Sequence, residues 1–110
     1  HADSIRAYTS PVVIAHVSYI LGKARSESYA VQKIKGLRGF LGVLPLTEAE
    51  IDQAIQRPGA DFEDSLQYFC ATANAVTVIV TRNGDDFPTE GVQILEPDEF
   101  TRIDVSGKLT

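Results

Sequence analysis

DFEDSLQYFCATANAVTVIVTRNGDDF, residues 61–87, is the stretch on which the reading of this chain turns. Asp61 suits a helix N-cap, and Phe62, Leu66, Phe69, Cys70 and Ala73 recur at helical spacing, so the sequence predicts a helix with one stripe facing a core. Asp64 falls in the first turn, off that stripe. Residues 76–81 are mostly β-branched and too few for a helix, which predicts a strand buried on both faces of a parallel sheet. In such sheets chemistry sits beyond the carboxyl ends of the strands. Asn83, Asp85 and Asp86 follow that end, and Asp64 at a helix start can reach the same edge. Two carboxylates and an amide suit a hard divalent cation, since Mg²⁺ takes oxygen ligands and keeps several waters. The geometric requirement is that Asp64 and Asp86 converge.

Composition sets the outer bounds. A length of 110 residues, 44% apolar and 23% charged, suits one folded domain and argues against disorder. No apolar run approaches the ~18 residues that a membrane span needs. The start carries no secretory signal, and the single cysteine, Cys70, lies on the core-facing stripe, so a reduced cytoplasm is the expected compartment. There is no internal repeat, phosphate-binding glycine loop, zinc spacing or serine-nucleophile elbow. The net charge of −5 is unevenly spread. Residues 1–43 carry six basic side chains against two acidic ones, and residues 44–110 carry four against thirteen. A basic surface for phosphates beside an acidic pocket for metal fits that split, and so do helices with solvated charged faces.

The rest of the chain predicts alternating strands and helices. A strand over residues 5–9 leads to Ser10, a cap, and Pro11, whose missing amide hydrogen costs nothing in a first helical turn. Val13, Val17 and Ile20 form the buried stripe of that helix, and His16 borders it. A second helix over residues 27–40 presents Ala30, Val31, Ile34 and Leu37 inward, and Gly36 and Gly39 weaken it. A strand over residues 43–46 precedes the capping box Thr47/Glu50 and a helix from 48 to about 56, ended by Pro58 and Gly59. After the central stretch come a strand over 92–95, a short helix begun by Pro97, and a tail. The expected organisation is a domain over residues 1–102 followed by a tail over 103–110. The fold class is α/β, with a mainly parallel sheet flanked by helices.

The pairing of DFEDSLQYFCA with VIVTRNGDDF resembles the C-terminal half of PIN domains, and SPVVIAHVSYILGK (residues 10–23) and GVQILEPDEF (residues 91–100) are similar to further segments of that family. The resemblance covers most of residues 5–100. It implies a three-layer α/β/α fold and an Mg²⁺- or Mn²⁺-dependent ribonuclease, of the kind found among the toxins of toxin-antitoxin pairs. In that reading Asp64 and Asp86 are metal ligands and, with Asn83, the catalytic residues. Thr81, Arg82, His16 and Ser10 are candidates for contact with RNA. Arg82 grips a phosphate or pairs with a neighbouring acid, and His16, where many PIN domains carry Glu, reaches the pocket or is a hydrogen-bonded histidine at a helix boundary. Asp61 is read as a cap, and Asp85 matches no ligand. RNA, an antitoxin protein and a second copy of the chain are the implied partners.

The family begins with a strand carrying an Asp, followed by a helix, and neither is matched here. The sequence also has no methionine. The chain therefore reads as lacking the N-terminal end of the fold, so that catalysis by these 110 residues alone needs that strand from elsewhere. Without it, the strands over 5–9 and 76–81 must close up, or another segment must lie between them. The alternative function is a PIN-like module that binds RNA or protein without cutting, and a third reading is a purely structural fragment.

Overall fold

The first strand and the first helix meet at a serine. In the computed structural model, which describes residues 6–57, 59–88 and 90–106 with the side chains of 86, 101 and 103–106 excepted, β1 is Ala7–Thr9 and α1 is Pro11–Ala24. Ser10 caps α1 by accepting from the Val13 N–H at 3.2 Å. Helix α2, Glu27–Leu37, follows after a two-residue break and is capped by Ser26, which accepts from the Tyr29 N–H at 3.0 Å. The two helices pack against one another, with Ala30 fully buried. They form the crossover to β2, Leu41–Val43, which pairs in parallel with β1 from Ala7 opposite Leu41 to Thr9 opposite Val43. Parallel pairing requires a connection of about this length.

Helix α2 ends three residues before its expected limit. Beyond Leu37 the chain tightens into a turn, with the Gly39 N–H donating to the Gly36 carbonyl at 3.1 Å, as two glycines in one helical turn allow. Strand β2 likewise falls at 41–43 and not at 43–46. Pro45 is the reason, because a proline has no amide hydrogen for a ladder.

A second compact unit, Thr47–Thr110, follows the first, His1–Leu46. It opens on α3, Glu48–Ile55, with the expected capping box: the Glu50 carboxylate accepts from the Thr47 N–H at 2.7 Å and the Thr47 hydroxyl accepts from the Ala49 N–H at 3.3 Å. Helix α4, Phe62–Ala73, is capped by Asp61 and packs on α3. Ala54, Ser65, Leu66, Tyr68, Cys70, Ala71, Phe87 and Leu95 are buried in this unit. Removing a leucine such as Leu66 from water is worth about 1.5–3 kcal/mol. The Ser65 hydroxyl accepts from the Arg57 guanidinium at 2.8 Å, so this buried polar side chain has a partner. Burial, and then the nearby Glu50 carboxylate, push the Cys70 thiol above its ordinary pKa, because both disfavour the thiolate.

Helix α4 ends in a two-bond reversal. The Val76 N–H donates to the Ala71 carbonyl at 2.9 Å and the Ala75 N–H to that of Thr72 at 3.2 Å, with Ala75 left-handed at φ 60°. This is a Schellman close with alanine where glycine is usual. An L-residue there costs about 1–2 kcal/mol, and glycine loses about 0.5–1 kcal/mol of backbone entropy in return. Ala75→Gly is therefore expected to stabilise the protein by up to about 1 kcal/mol, raising the urea midpoint. A lowered midpoint with an unchanged slope contradicts this.

Strand β3, Val78–Val80, runs parallel to β4, Gln93–Leu95, with Ile79 opposite Ile94. Val76 is spent on the reversal, while the Thr77 carbonyl already accepts from the Gln93 N–H at 2.8 Å, so the strand is shorter than residues 76–81. It is not buried on both faces either. Val78 and Ile79 are half-buried and Val80 is exposed, and among the described residues β3 has β4 as its one ladder partner. The pairs β1–β2 and β3–β4 are separate ladders, and no ladder joins β1 to β3 among the described residues.

Helix α5, Pro97–Ser106, extends well past its expected first turn. Glu99 accepts from the Glu96 N–H at 2.9 Å, closing the helix start, and the exposed pair Arg102–Asp98, at 3.5 Å, follows one turn on. The α/β class, with parallel strands and accompanying helices, is what the structure shows. The expected helix stop at Pro58, the strand start at Ile5 and the last four residues lie outside the described ones.

Candidate active site

Asp64 owes its place to its neighbour. Asp61 Oδ1 accepts from the Asp64 backbone N–H at 3.0 Å, which fixes the first turn of α4 and sets the half-buried Asp64 side chain there. A carboxylate at that point is favoured by the unpaired amides of the helix start. Four residues on, and so on the same side of α4, Tyr68 is buried and its hydroxyl donates to the Glu90 carbonyl at 2.6 Å. That bond ties the helix bearing Asp64 to the segment that leaves the acid-bearing loop.

The loop itself grows out of β3. The Thr81 N–H donates to the Leu95 carbonyl at 2.9 Å, carrying the ladder one residue past Val80. The Thr81 hydroxyl then accepts from the Asn83 N–H at 3.2 Å. A 3-10 turn, Gly84–Asp86, follows, and Phe87 is buried directly after it. Gly84 permits a close approach: a Cβ there would lie 2.7 Å from Ile94 Cγ2 and 3.8 Å from Thr81 Cγ2. The turn between Asn83 and Asp86 is thus seated on β4.

Asp64, Thr81, Arg82, Asn83 and Asp86 all belong to the second unit, on α4 and on the loop after β3. Arg82 and Asn83 are exposed and Thr81 is half-buried. The Asp86 backbone closes the 3-10 turn, and its side chain lies outside the described ones. Ser10 and His16 belong to the first unit. Ser10 is 6% exposed with its oxygen engaged in capping α1, while His16 is exposed on the same helix.

Among the described residues no three His, Cys, Asp or Glu side chains form a group able to hold a metal ion. The donor types on α4 and the loop nevertheless suit a hard cation, because Mg²⁺ asks for only one or two carboxylates and completes its shell with water. The sequence reading overlooked Tyr68 and Gly84, which position the helix and the turn. A tyrosine four residues after Asp64 and a glycine beside an acidic pair were the available signals.

The profile of the family described as PIN domain matches residues 2–85 of this chain. The chain belongs to the PIN domain family. Asp64, Thr81, Arg82 and Asn83 fall inside the matched span of the PIN domain, and Asp86 stands one residue beyond it. Among curated proteins, this PIN domain is similar to "Ribonuclease VapC1" from Aquifex aeolicus (strain VF5), with 29% identity over 104 residues that cover 90% of this chain and 71% of the relative. No solved structure matches it. Among the described residues no helix is long and apolar enough to cross a membrane.

Proposed function

We propose that this PIN domain is a divalent-metal-dependent endoribonuclease, with Asp64 and Asp86 holding Mg²⁺ or Mn²⁺. The family match over residues 2–85, together with the likeness to a relative named as a ribonuclease, is the observation that carries the reading. The Tyr68–Glu90 bond adds to it, since it holds the helix of Asp64 to the chain emerging from the loop of Asp86. When bound, the cation supplies activation of water and offsets the negative charge that grows on the phosphodiester.

The chain's own residues do the positioning. Asn83, exposed beside the turn, would orient water or phosphate through its side-chain amide, and Arg82 would pair with a non-bridging phosphate oxygen. Thr81, its hydroxyl already accepting from Asn83, would hold that residue in register. Hydrolysis adds water to phosphorus, breaks one P–O bond and leaves the proton on the departing oxygen. Read as a toxin of a toxin-antitoxin pair, the protein would take an antitoxin and a second copy of itself as partners, in the cytoplasm.

The test is RNA cleavage by the purified protein in Mg²⁺ or Mn²⁺, with loss on EDTA and recovery on adding metal back. The second reading, a PIN-like module that binds RNA or protein without cutting, is favoured by His16, which stands where many PIN domains place a carboxylate. Calorimetric titration with Mn²⁺ separates the two. A folded protein that takes up no Mn²⁺ and leaves RNA whole is the binding module.

A further inference from the structure

The first unit carries an arrangement that the acidic loop does not use. Tyr19 and Lys23 stand four residues apart on α1, with Lys23 Nζ 5.7 Å from the Tyr19 ring centre. Tyr29 and Lys33 repeat the spacing on α2, with Lys33 Nζ 5.3 Å from the Tyr29 ring. Between them, Arg25 caps the end of α1 and lays its guanidinium 4.6 Å from the same ring. Each arm of the helical hairpin thus presents an aromatic ring under a cation. Tyr19 is 66% exposed, and Lys23, Arg25 and Lys33 are exposed too. Among the described residues none of these three cations is paired with a carboxylate. Residues 19–38 hold five basic side chains against Glu27 alone, in a chain of net charge −5.

We propose that this face of the α1–α2 hairpin grips single-stranded RNA, with Lys23, Arg25 and Lys33 on the phosphates and a base stacked on the Tyr19 ring. Sequence-tolerant binding of single strands combines a positive track for the backbone with aromatic platforms for the bases, and both are present here. A cation on one face of the largely exposed Tyr19 ring leaves the opposite face for a base. Charge complementarity selects a polyanion. Ile20 and Val31 are also exposed on the two helices, so a second copy of the chain is the competing occupant. The proposal rests on RNA being the substrate and adds where the strand is held.

The experiment is fluorescence anisotropy of a labelled single-stranded RNA with the whole chain in EDTA, so that binding is read without cleavage. The triple variant Lys23→Ala, Arg25→Ala, Lys33→Ala is expected to bind at least about tenfold more weakly, and the slope of log affinity against log salt is expected to fall by about 2. Tyr19→Ala alone is expected to cost roughly tenfold and leave that slope unchanged. All four side chains are solvent-facing or half-exposed, so circular dichroism should report an intact fold. Wild-type affinity and slope in the triple variant overturn the proposal, as does a wild-type protein that binds no RNA. A triple variant that keeps RNA affinity but changes mass by light scattering gives the face to a second copy, and overturns it too. Wild-type protein that binds RNA in EDTA and never cuts it in Mn²⁺, beside a triple variant that has lost the binding, sinks the nuclease reading while upholding this one. Cleavage with an unchanged KM in the triple variant does the reverse.

Discussion

Asp64→Asn is expected to cut RNA hydrolysis by a factor on the order of 10² or more while leaving the protein folded. Groups that only steer a metal ligand are worth about 10- to 100-fold, so loss of the ligand's own charge should cost more. The substitution keeps the shape of the side chain and leaves the backbone of residue 64 in place. Asp61 still accepts from the backbone N–H of residue 64, and Tyr68 still reaches Glu90. What the helix loses is a carboxylate near its amino end, worth about 0.3–1 kcal/mol. The melting temperature should therefore fall by a few degrees at most. The assay is cleavage of a fluorescent RNA in Mn²⁺ beside Mn²⁺ titration calorimetry, where affinity should fall with the rate. Wild-type turnover in a folded Asp64→Asn protein would falsify the assignment of this residue.

Gly84→Ala should damage the site from within the fold. The added methyl would come 2.7 Å from Ile94 Cγ2, a group fixed at the branch of a strand residue and unable to swing aside. The turn carrying Asn83 on one side and Asp86 at its end must lift off β4 by a fraction of an ångström to make room. Overpacking of this kind costs about 1–3 kcal/mol. Misplacement of a reacting group by about 1 Å can cost 10²-fold in rate. The expected outcome is a destabilised but folded protein with cleavage lowered on the order of tenfold to a hundredfold. Adding Ile94→Ala removes the obstructing methyl and should restore part of the rate. A single variant as active as wild type, or a double variant no better than the single, shows that the seating of this turn does not matter.

The helix starts were legible because each is written in one or two residues. Ser10, Thr47 with Glu50, and Asp61 all cap as their types predict, and Pro11 sits in a first turn. Strand limits were less so. Residues 43–46 look like a strand by hydrophobicity, yet Pro45 cannot join a ladder and the pairing moves back to 41–43. Residues 76–81 look buried throughout, but Val76 is consumed in closing α4 and Val80 faces out, since neither the Schellman turn at Ala75 nor the number of ladder partners is encoded in local hydropathy. Helix α5 was underestimated for another reason: after Phe100 it carries only Ile103 and Val105 as large apolar residues, too few to fix a helical period from the sequence. At the candidate site, the types and order of Asp64, Thr81, Arg82 and Asn83 were readable. The Tyr68–Glu90 bond was not, because 22 residues separate its partners.

Cys70 is 1% exposed, on the packed side of α4, and its thiol is held neutral by burial and by Glu50. Only the thiolate is attacked readily by alkylating or disulfide reagents, and only when they can touch it. The sulfur is thus an internal clock. In the native protein its modification must wait for α4 to part from its neighbours, so the labelling rate in plain buffer counts how often that helix opens.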